Sequence, residues 1–276
     1  MTSKPKLSAC TISKNEQEDL PGFIEHLINW VDEIVIVDDC SSDKTKEIAL
    51  SYGSKITFIE NLMGEERDFG GQRNICIANA TGDWLLHMDV DERVTPQLAT
   101  EILKGIKTEK YQGYKYRRLN FFLHRPMKGG GFASWNKPQL ARAGYHKFIN
   151  KIHENCIVEG EVGQLNGYMW HLNDVDYKER MRKSVTYSPL EADKLIHKGM
   201  KIKWYHLVYY PFARAFKRYF LQKGFMDGIP GLIFALHCFT AKFKVYSLAW
   251  NSQNMISRKG IEDKLMDEWE KAPIKD

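Results

Sequence analysis

The segment Glu33-Ile-Val-Ile-Val-Asp38 is an unbroken aliphatic run closed by acids. It has no polar alternation, so a strand built from it needs cover on both faces, which is the situation of a parallel strand between layers of helices. The segments around it supply that cover. Lys6 to Ile12 reads as a buried strand. A helix follows, with Asp19 as N-cap and Leu20, Ile24, Leu27, Ile28 and Val31 at the spacing of one buried face. Ser42 is expected to cap a helix through Ile48 and Leu50 that stops at Gly53. Ile56 to Ile59 is a strand, Gly70 to Ala80 a helix, and Trp84 to Met88 a strand ending in Asp89-Val-Asp91-Glu92. Thr95-Pro96 joins a cap to a first-turn proline and opens another helix. This order implies an α/β fold, a mostly parallel sheet with helices on both faces.

Beyond residue 113 the pattern changes. Tyr114 to Leu123 reads as a strand, Lys128-Gly-Gly-Gly-Phe132 as a flexible loop, and the stretch to about 172 as short irregular strands. Helices then take over, Tyr177 to Tyr187 first and a second opening at Ser188-Pro189-Leu190-Glu191, a capping box with proline in its first turn. The expected organisation is an α/β domain over 1–173, in halves 1–112 and 113–173, and a helical module over 174–276.

Composition narrows the class. The 276 residues carry 40 Lys and Arg against 35 Asp and Glu, a net charge of +5, and 12% aromatics, which excludes a disordered chain. Five scattered cysteines without a CxxC pair read as free thiols in a reducing compartment. Met1 to Lys6 lacks the apolar core of a signal peptide. The stretch nearest to a membrane span, Gly228 to Ala241, falls short of the roughly 18 apolar residues required and contains His237.

Sheets of this kind bind ligands at the carboxyl ends of their strands, and both acidic clusters stand there. Asp89-x-Asp91 can hold a hard divalent cation beside a phosphate, since Mg²⁺ takes one or two carboxylates and completes its shell from substrate phosphates. Acids at strand ends also occur as solvated loop residues. Asp38-Asp39-Cys40-Ser41-Ser42-Asp43 fits either hydrogen bonding to a nucleoside or helix capping. Arg73, in Gly70-Gly71-Gln72-Arg73-Asn74, sits at a helix start where glycine permits close approach, suited to a base or a diphosphate or to a surface ion pair. His153-Glu154 has no helical HExxH context, so a zinc-protease reading fails; a glutamate beside a bound sugar can act as general base. His171 reads by default as a core histidine.

In order along the chain, Thr11-Ile-Ser-Lys-Asn15-Glu16, Asp38-Asp39-Cys-Ser-Ser-Asp43-Lys-Thr45, Gly-Gly-Gln-Arg73-Asn74 and Asp89-Val-Asp91-Glu92 resemble the family 2 glycosyltransferases, which have the GT-A fold. Trp135 to Arg142, His153-Glu154, His171 and Gly224 to Gly231 make the chain most similar to the lipopolysaccharide-core glucosyltransferase-like branch. The resemblance implies that Ile12, Lys14 and Glu16 line the nucleoside pocket, that Asp39 is the base-binding acid with Arg73 close by, and that Asp89 touches ribose or metal. It implies Asp91 as ligand of a divalent cation (Mg²⁺ or Mn²⁺) bridging the diphosphate, His171 as a further metal or diphosphate contact, and Glu154 as catalytic base. The implied reaction is inverting transfer from a nucleoside-diphosphate sugar, with UDP the expected carrier, to a saccharide or glycolipid acceptor. Three departures stand out: Cys40 occupies a position often held by glycine, Ser-Lys-Asn-Glu replaces the commoner Pro-x-Tyr-Asn, and no QxxRW follows, which argues against a processive synthase.

Between Pro211 and Lys223 a helix would place Phe212, Phe216, Tyr219 and Phe220 on one face and Arg214, Lys217 and Arg218 on the other. That suits a helix in a membrane interface, peripheral on the cytoplasmic face of the inner membrane; packing of the aromatics on the catalytic domain is the alternative. Rival activities are a sugar nucleotidylyltransferase, a polyprenyl-phosphate sugar synthase and an RNA-binding protein using the basic aromatic C-terminus. The first would need a glycine-rich loop after the first strand, the second would need no base, and the third leaves the acidic motifs unused. No nucleic-acid partner is expected.

Overall fold

Neighbouring residues of the first strands feed two different cores. In the computed structural model, which describes residues 4–64, 67–151, 154–174 and 176–272, the chain begins with β1 (Leu7–Ser13), α1 (Leu20–Leu27), β2 (Glu33–Asp38), α2 (Thr45–Ser51), β3 (Ile56–Glu60), α3 (Phe69–Asn79) and β4 (Trp84–His87). It continues with β5 (Glu92–Val94), α4 (Pro96–Gly105), β6 (Gly113–Phe122), β7 (Arg125–Pro126), β8 (Asn136–Arg142), β9 (His146–Ile149), β10 (Asn155–Val158) and β11 (Val162–His171). Leu7, Ala9, Ile34, Ile36, Trp84 and Leu86 join the core that contains α1 and α4. Cys10, Val35, Val37 and Leu85 point the other way, onto Cys76 of α3. The period-2 alternation of a strand thus uses both faces of the aliphatic runs.

The sheet order is β3-β2-β1-β4-β8-β6-β11-β5, with β7 paired to β6. β3, β2, β1 and β4 run parallel, with Ser13 opposite Asp38 and Asp38 opposite Glu60. β8 lies antiparallel to both β4 and β6, whereas β11 runs parallel to β6. The carboxyl ends of β1, β2 and β4 therefore share one edge, and every acidic motif emerges there. Helix α3 is drawn to this edge by Asn74, whose side chain exchanges hydrogen bonds of 2.8 and 2.9 Å with the Phe148 backbone. A side chain at Gly70 would collide with the Asn150 carbonyl, so the approach requires glycine there.

The chain divides into two compact units: one runs to Lys128 and resumes at Phe132, the other takes Gly129–Gly131 and the helical region from Asp176. The second unit contains α5 (Tyr177–His197), α6 (Trp204–Phe216), α7 (Gly228–Asn254) and α8 (Arg258–Lys271). The triglycine segment is held and not a free loop: Gly129 N–H donates to Asp227 at 2.8 Å, Gly130 N–H to the Gln222 carbonyl at 2.8 Å, and Arg218 to the Gly130 carbonyl at 2.7 Å.

Several local expectations are corrected. Ser42 does not cap α2; its backbone N–H is taken by Asn15, and Asp43 folds over the helix start by accepting both the backbone N–H and the hydroxyl of Thr45. Asp19 stands at the cap of α1 without a side-chain bond to it. Ser188-Pro189 opens no helix, because α5 is continuous and the buried Ser188 hydroxyl bonds back to the Ser184 carbonyl at 2.6 Å. The region before 172 ends in a ten-residue strand, β11, whose register against β6 shifts between Gln164 and Tyr168. α6 stops at Phe216 and widens into a π turn over Lys217–Leu221. The apolar helix does not end near Ala241: Gly224–Asn254, with an 18-residue stretch of mean hydropathy 1.3, is long and apolar enough to cross a membrane by length and composition. All five cysteines are free.

His26 pins α1 to β5. Its Nε2 accepts the Val94 N–H at 3.2 Å and its Nδ1 lies 3.1 Å from the Gly22 carbonyl, a pairing that only the neutral Nδ1–H ring satisfies. Burial, aided by the nearby Arg93 charge, lowers its pKa from 6.5 to about 4. The contribution is fully present above pH 6.5 and lost as pH falls towards 4, amounting to about 3 kcal/mol. Thermal denaturation between pH 7 and 4 should therefore show a loss of stability that His26→Gln removes; equal pH slopes for both proteins would contradict this role.

Candidate active site

The edge is built from short loops that follow buried strands. At the end of β1, Ile12 is half-buried and packs into the α3-side core. Lys14 reaches across to the backbone carbonyls of Asp39 and Cys40, and its ammonium lies 3.6 Å from the Asp39 carboxylate. Glu16 is fixed by its own N–H, donated to Thr45 Oγ1 at 2.8 Å. Beneath them Asp38 is 1% exposed and accepts bonds of 2.6 Å from Ser13, from the Ser41 hydroxyl and from the Ser41 N–H. Asp38 therefore organises the loop, while Asp39 faces outward and accepts the Met63 N–H at 2.7 Å. Cys40 has φ +50°, the left-handed conformation that makes glycine the easier residue at this turn.

Arg73 enters from the second turn of α3 and is 4% exposed. Its Nε donates to Glu154 at 3.2 Å, its Nη2 pairs with Asp89, its Nη1 reaches the Met88 carbonyl at 3.4 Å, and its guanidinium stands 5.5 Å from the centre of the Phe148 ring. Burial works against the charge, and Asp89 and Glu154 more than restore it, so Arg73 stays a cation. Asp89 is held on the other side by Arg118 at 3.2 Å. Burial would raise the Asp89 pKa, but Arg73 and Arg118 overcome it and hold the carboxyl at about 2. Glu92 completes the network, 2.6 Å from Arg118 and accepting the Asp89 N–H at 2.8 Å; burial raises its pKa.

Asp91 and His171 face each other across the turn after β4, with Asp91 Oδ2 3.1 Å from His171 Nε2. Asp89, Asp91 and His171 each offer a ligand atom within 4.8 Å of the others. The histidine tautomer follows from its neighbours. Asn120 gives its NH₂ to the Phe132 carbonyl at 2.9 Å and so presents Oδ1 to His171 Nδ1 at 2.7 Å. Nδ1 then carries the proton and Nε2 is directed at Asp91, the second-sphere arrangement that readies a histidine for a cation. An oxygen-rich set with one imidazole fits Mg²⁺ or Mn²⁺ better than a thiophilic metal.

The family described as "Glycosyl transferase family 2" matches residues 8–157, more than half of the chain and all of the edge just described except His171. This chain belongs to glycosyltransferase family 2. It is similar to an uncharacterized glycosyltransferase of Rickettsia prowazekii, 27% identical over 95% of this chain and 94% of that protein. It is also similar to the lipopolysaccharide core biosynthesis glycosyltransferase LpsC of Rhizobium meliloti, 26% identical over 96% of this chain and 99% of that one. Among solved structures, S. aureus TarS 1–349 aligns with a TM-score of 0.47 and 13% identity, over 90% of this chain and 91% of that one. As a member of that family it has the α/β GT-A fold, here with a mixed sheet in which β3, β2, β1 and β4 are parallel.

Of the residues singled out in the sequence, Arg73, Asp89 and Glu154 meet in one ion-pair network; Asp89, Asp91 and His171 form the adjoining triad; and Lys14 with Asp39 forms a separate pair. His153 lies outside the described residues. Arg118 and Asn120 of the glycosyltransferase were missed. Their signal was in the sequence: alternation along β6 puts Tyr114, Tyr116, Arg118, Asn120 and Phe122 on one face, and a charge and an amide on a face otherwise aromatic call for partners. Trp135 covers Arg118, with the guanidinium carbon 4.2 Å from the ring centroid.

Glu16 reports the excess negative charge at this edge. Its pKa rises to about 7, through burial first and then through Asp19, Asp91, Asp43 and Asp89. An acid whose folded pKa is raised costs stability as pH climbs from its ordinary 4.5 to 7 and carries the full cost above that. In EDTA, Glu16→Gln should therefore melt above wild type at pH 8, with the gap closing towards pH 4.5. A gap independent of pH would remove Glu16 from the charge cluster.

Proposed function

We propose that this glycosyltransferase moves a sugar, with inversion, from a nucleoside-diphosphate donor to a saccharide or glycolipid acceptor. UDP is the preferred carrier and lipopolysaccharide core the preferred acceptor. The observation that carries this reading is the adjacency of the Asp89–Asp91–His171 triad to a Glu154 carboxylate held by Arg73. The full-length likeness to LpsC supports the acceptor class.

Ile12, Lys14, Glu16 and Asp39 would line the nucleoside pocket, with Asp39 addressing the base. A divalent cation held by Asp91, His171 and Asp89 would supply counter-charge to the leaving diphosphate. Arg73 keeps Glu154 oriented through the ion pair at 3.2 Å, so Glu154 can take the proton of the acceptor hydroxyl. The hydroxyl oxygen then bonds to the anomeric carbon on the face opposite the leaving group. The bond from that carbon to the phosphate oxygen breaks, and its electron pair departs on the nucleoside diphosphate. A base of this kind contributes about 10²–10⁴-fold.

The helical unit supports a place at the membrane surface. Phe212, Phe216, Phe220 and Leu221 are all more than half exposed, as are Met226 and Ile229. Arg214 and Arg218, by contrast, turn towards α7, where Arg218 stands 5.7 Å from the Phe234 ring centroid. An apolar surface of this kind facing outward is the pattern of a protein that lies in an interface.

Two measurements test the reading. With UDP and Mn²⁺ at ~100 times the dissociation constant, wild type should gain about 2.7 kcal/mol of stability and Asp91→Ala should gain none; equal shifts would remove the triad from nucleotide binding. Glu154→Gln should keep the shift and lose about 10²–10⁴-fold in turnover, whereas unchanged turnover would favour an acceptor that needs no base, such as a polyprenyl phosphate. For the membrane, wild type should float with vesicles containing anionic lipid at low salt. At roughly 1.5–3 kcal/mol per buried phenyl side chain, F216S/F220S should weaken that binding by at least about tenfold. Wild type remaining unbound at low salt would end the interfacial reading.

A further inference from the structure

The helix over Gly224–Asn254 is long and apolar enough to cross a membrane, yet only 33% of its most apolar stretch is buried inside the protein. A helix in the core of a protein surrounded by water would be buried over most of that length. The outward positions of α7 include Ile229 at 73% exposure, Leu236 at 55%, and Leu232 and Phe243 at 42% and 44%. The exposed face of α6 continues this surface from Trp204 and Tyr209 to Phe212 and Phe216, and the Phe212 and Phe239 rings, 5.0 Å apart, join the two helices. From Trp204 to Trp250 the one acid is Asp227, which accepts the Gly129 N–H. The charges exposed there, Arg214, Lys217 and Lys223, are all cationic. An apolar face edged by cations and by Trp and Tyr rings matches a bilayer leaflet, anionic at its surface and apolar beneath. A second copy docked symmetrically on the same face would meet a surface of like charge.

Helix α5 decides how α7 can meet that leaflet. It accompanies α7 from Phe234, whose ring centroid lies 5.2 Å from the Arg180 guanidinium, to Ala249, which packs with Ala192 in a buried cluster. Between these points Lys242 pairs with Glu191 at 3.1 Å and Lys244 donates to Ser184 at 2.7 Å. Residues 234–249 make about 23 Å of helix, most of a hydrocarbon core of about 30 Å. Charges run along α5, from Lys178 and Glu179 to Asp193 and Lys194. An α7 that crossed the bilayer would draw them into hydrocarbon, where charged side chains are strongly disfavoured. We propose that α6 and α7 form a monotopic membrane anchor: α7 does not cross but lies with α6 in the plane of one leaflet, its outer face among the acyl chains and Lys217 and Lys223 against the headgroup phosphates. The anchor rests on the interfacial reading of the helical unit and not on the transfer chemistry. It goes beyond that reading in depth and orientation, since attachment by buried side chains survives salt.

The test uses the full chain, added from outside to vesicles of phosphatidylcholine and phosphatidylglycerol. Wild type should stay bound in about 1 M salt, where the Debye length is about 3 Å and surface charge is screened. L232S/L236S should partition at least about tenfold more weakly under the same conditions. L236S alone, at a position already more than half exposed, should weaken binding in the same direction, so the result does not depend on the double variant folding normally. Orientation is read in a C40S background, which removes the exposed thiol. With K217C, before α7, or S252C, near its end, a membrane-impermeant maleimide should label either bound protein without detergent. Labelling of only one of the two before detergent makes α7 a span and overturns the proposal. Binding at low salt that about 1 M salt reverses also overturns it while leaving the interfacial reading intact; no binding at any salt ends both. A wild-type dimer that stays off vesicles at every salt, and that L232S/L236S dissociates, gives the face to a second copy. The UDP–Mn²⁺ thermal shift, read on the same samples, reports separately on the nucleotide site.

Discussion

One buried guanidinium ties the catalytic edge together. Arg73 belongs to α3, Asp89 to the end of β4 and Glu154 to the segment before β10, and these meet only because the arginine reaches all of them. A buried charge without partners would be strongly destabilising, whereas one with two carboxylates and a carbonyl is held in a single orientation. The requirement runs in both directions. Asp89 and Glu154 can sit side by side because a cation lies between them, and α3 must dock close enough to deliver it, which Gly70 and Asn74 allow. Removing Arg73 would therefore disturb the fold of the edge and the orientation of Glu154 at once.

Much of this edge was visible in the sequence, for a physical reason. β1, β2 and β4 are covered on both faces, so their aliphatic runs leave little freedom of interpretation, and Thr95-Pro96 is a start signal that its own side chain satisfies by accepting the Leu98 N–H. Acids at the ends of such strands must lie together on one edge. What the sequence hid was non-local. The pairing of Arg118 with Asp89 and Glu92 joins β6 to the turn after β4, and no local spacing encodes it. The tautomer of His171 depends on which way Asn120 faces, and that depends on the Phe132 carbonyl.

Local signals also misled where a competing bond was stronger. Ser188-Pro189-Leu190-Glu191 has the form of a helix start, yet Ser188 finds the Ser184 carbonyl of a helix already in progress. Ser42 and Asp43 both favour caps; Asp43 wins because Asn15 occupies the Ser42 N–H. The apolar run after Gly228 is interrupted by Lys242 and Lys244, but α7 continues through both because their ammoniums reach Glu191 and Ser184 of α5. In each case the decisive partner is more than a turn away or on another element.

The charge arrangement explains why an acidic edge can serve an anionic donor. Arg73 and Arg118 are committed to Asp89, Glu92 and Glu154, so their positive charge is largely spent within the network. Asp91 and Glu16 add negative charge beyond it, and burial first, then the nearby Asp19, Asp91, Asp43 and Asp89, raise the pKa of Glu16. A nucleoside diphosphate approaching this edge meets repulsion of the same sign. Under the proposed function, a divalent cation on Asp91 and His171 would reverse that sign beside the diphosphate, at a strength that a low local dielectric preserves. On that reading, a metal requirement would be the electrostatic condition for placing a diphosphate at this edge.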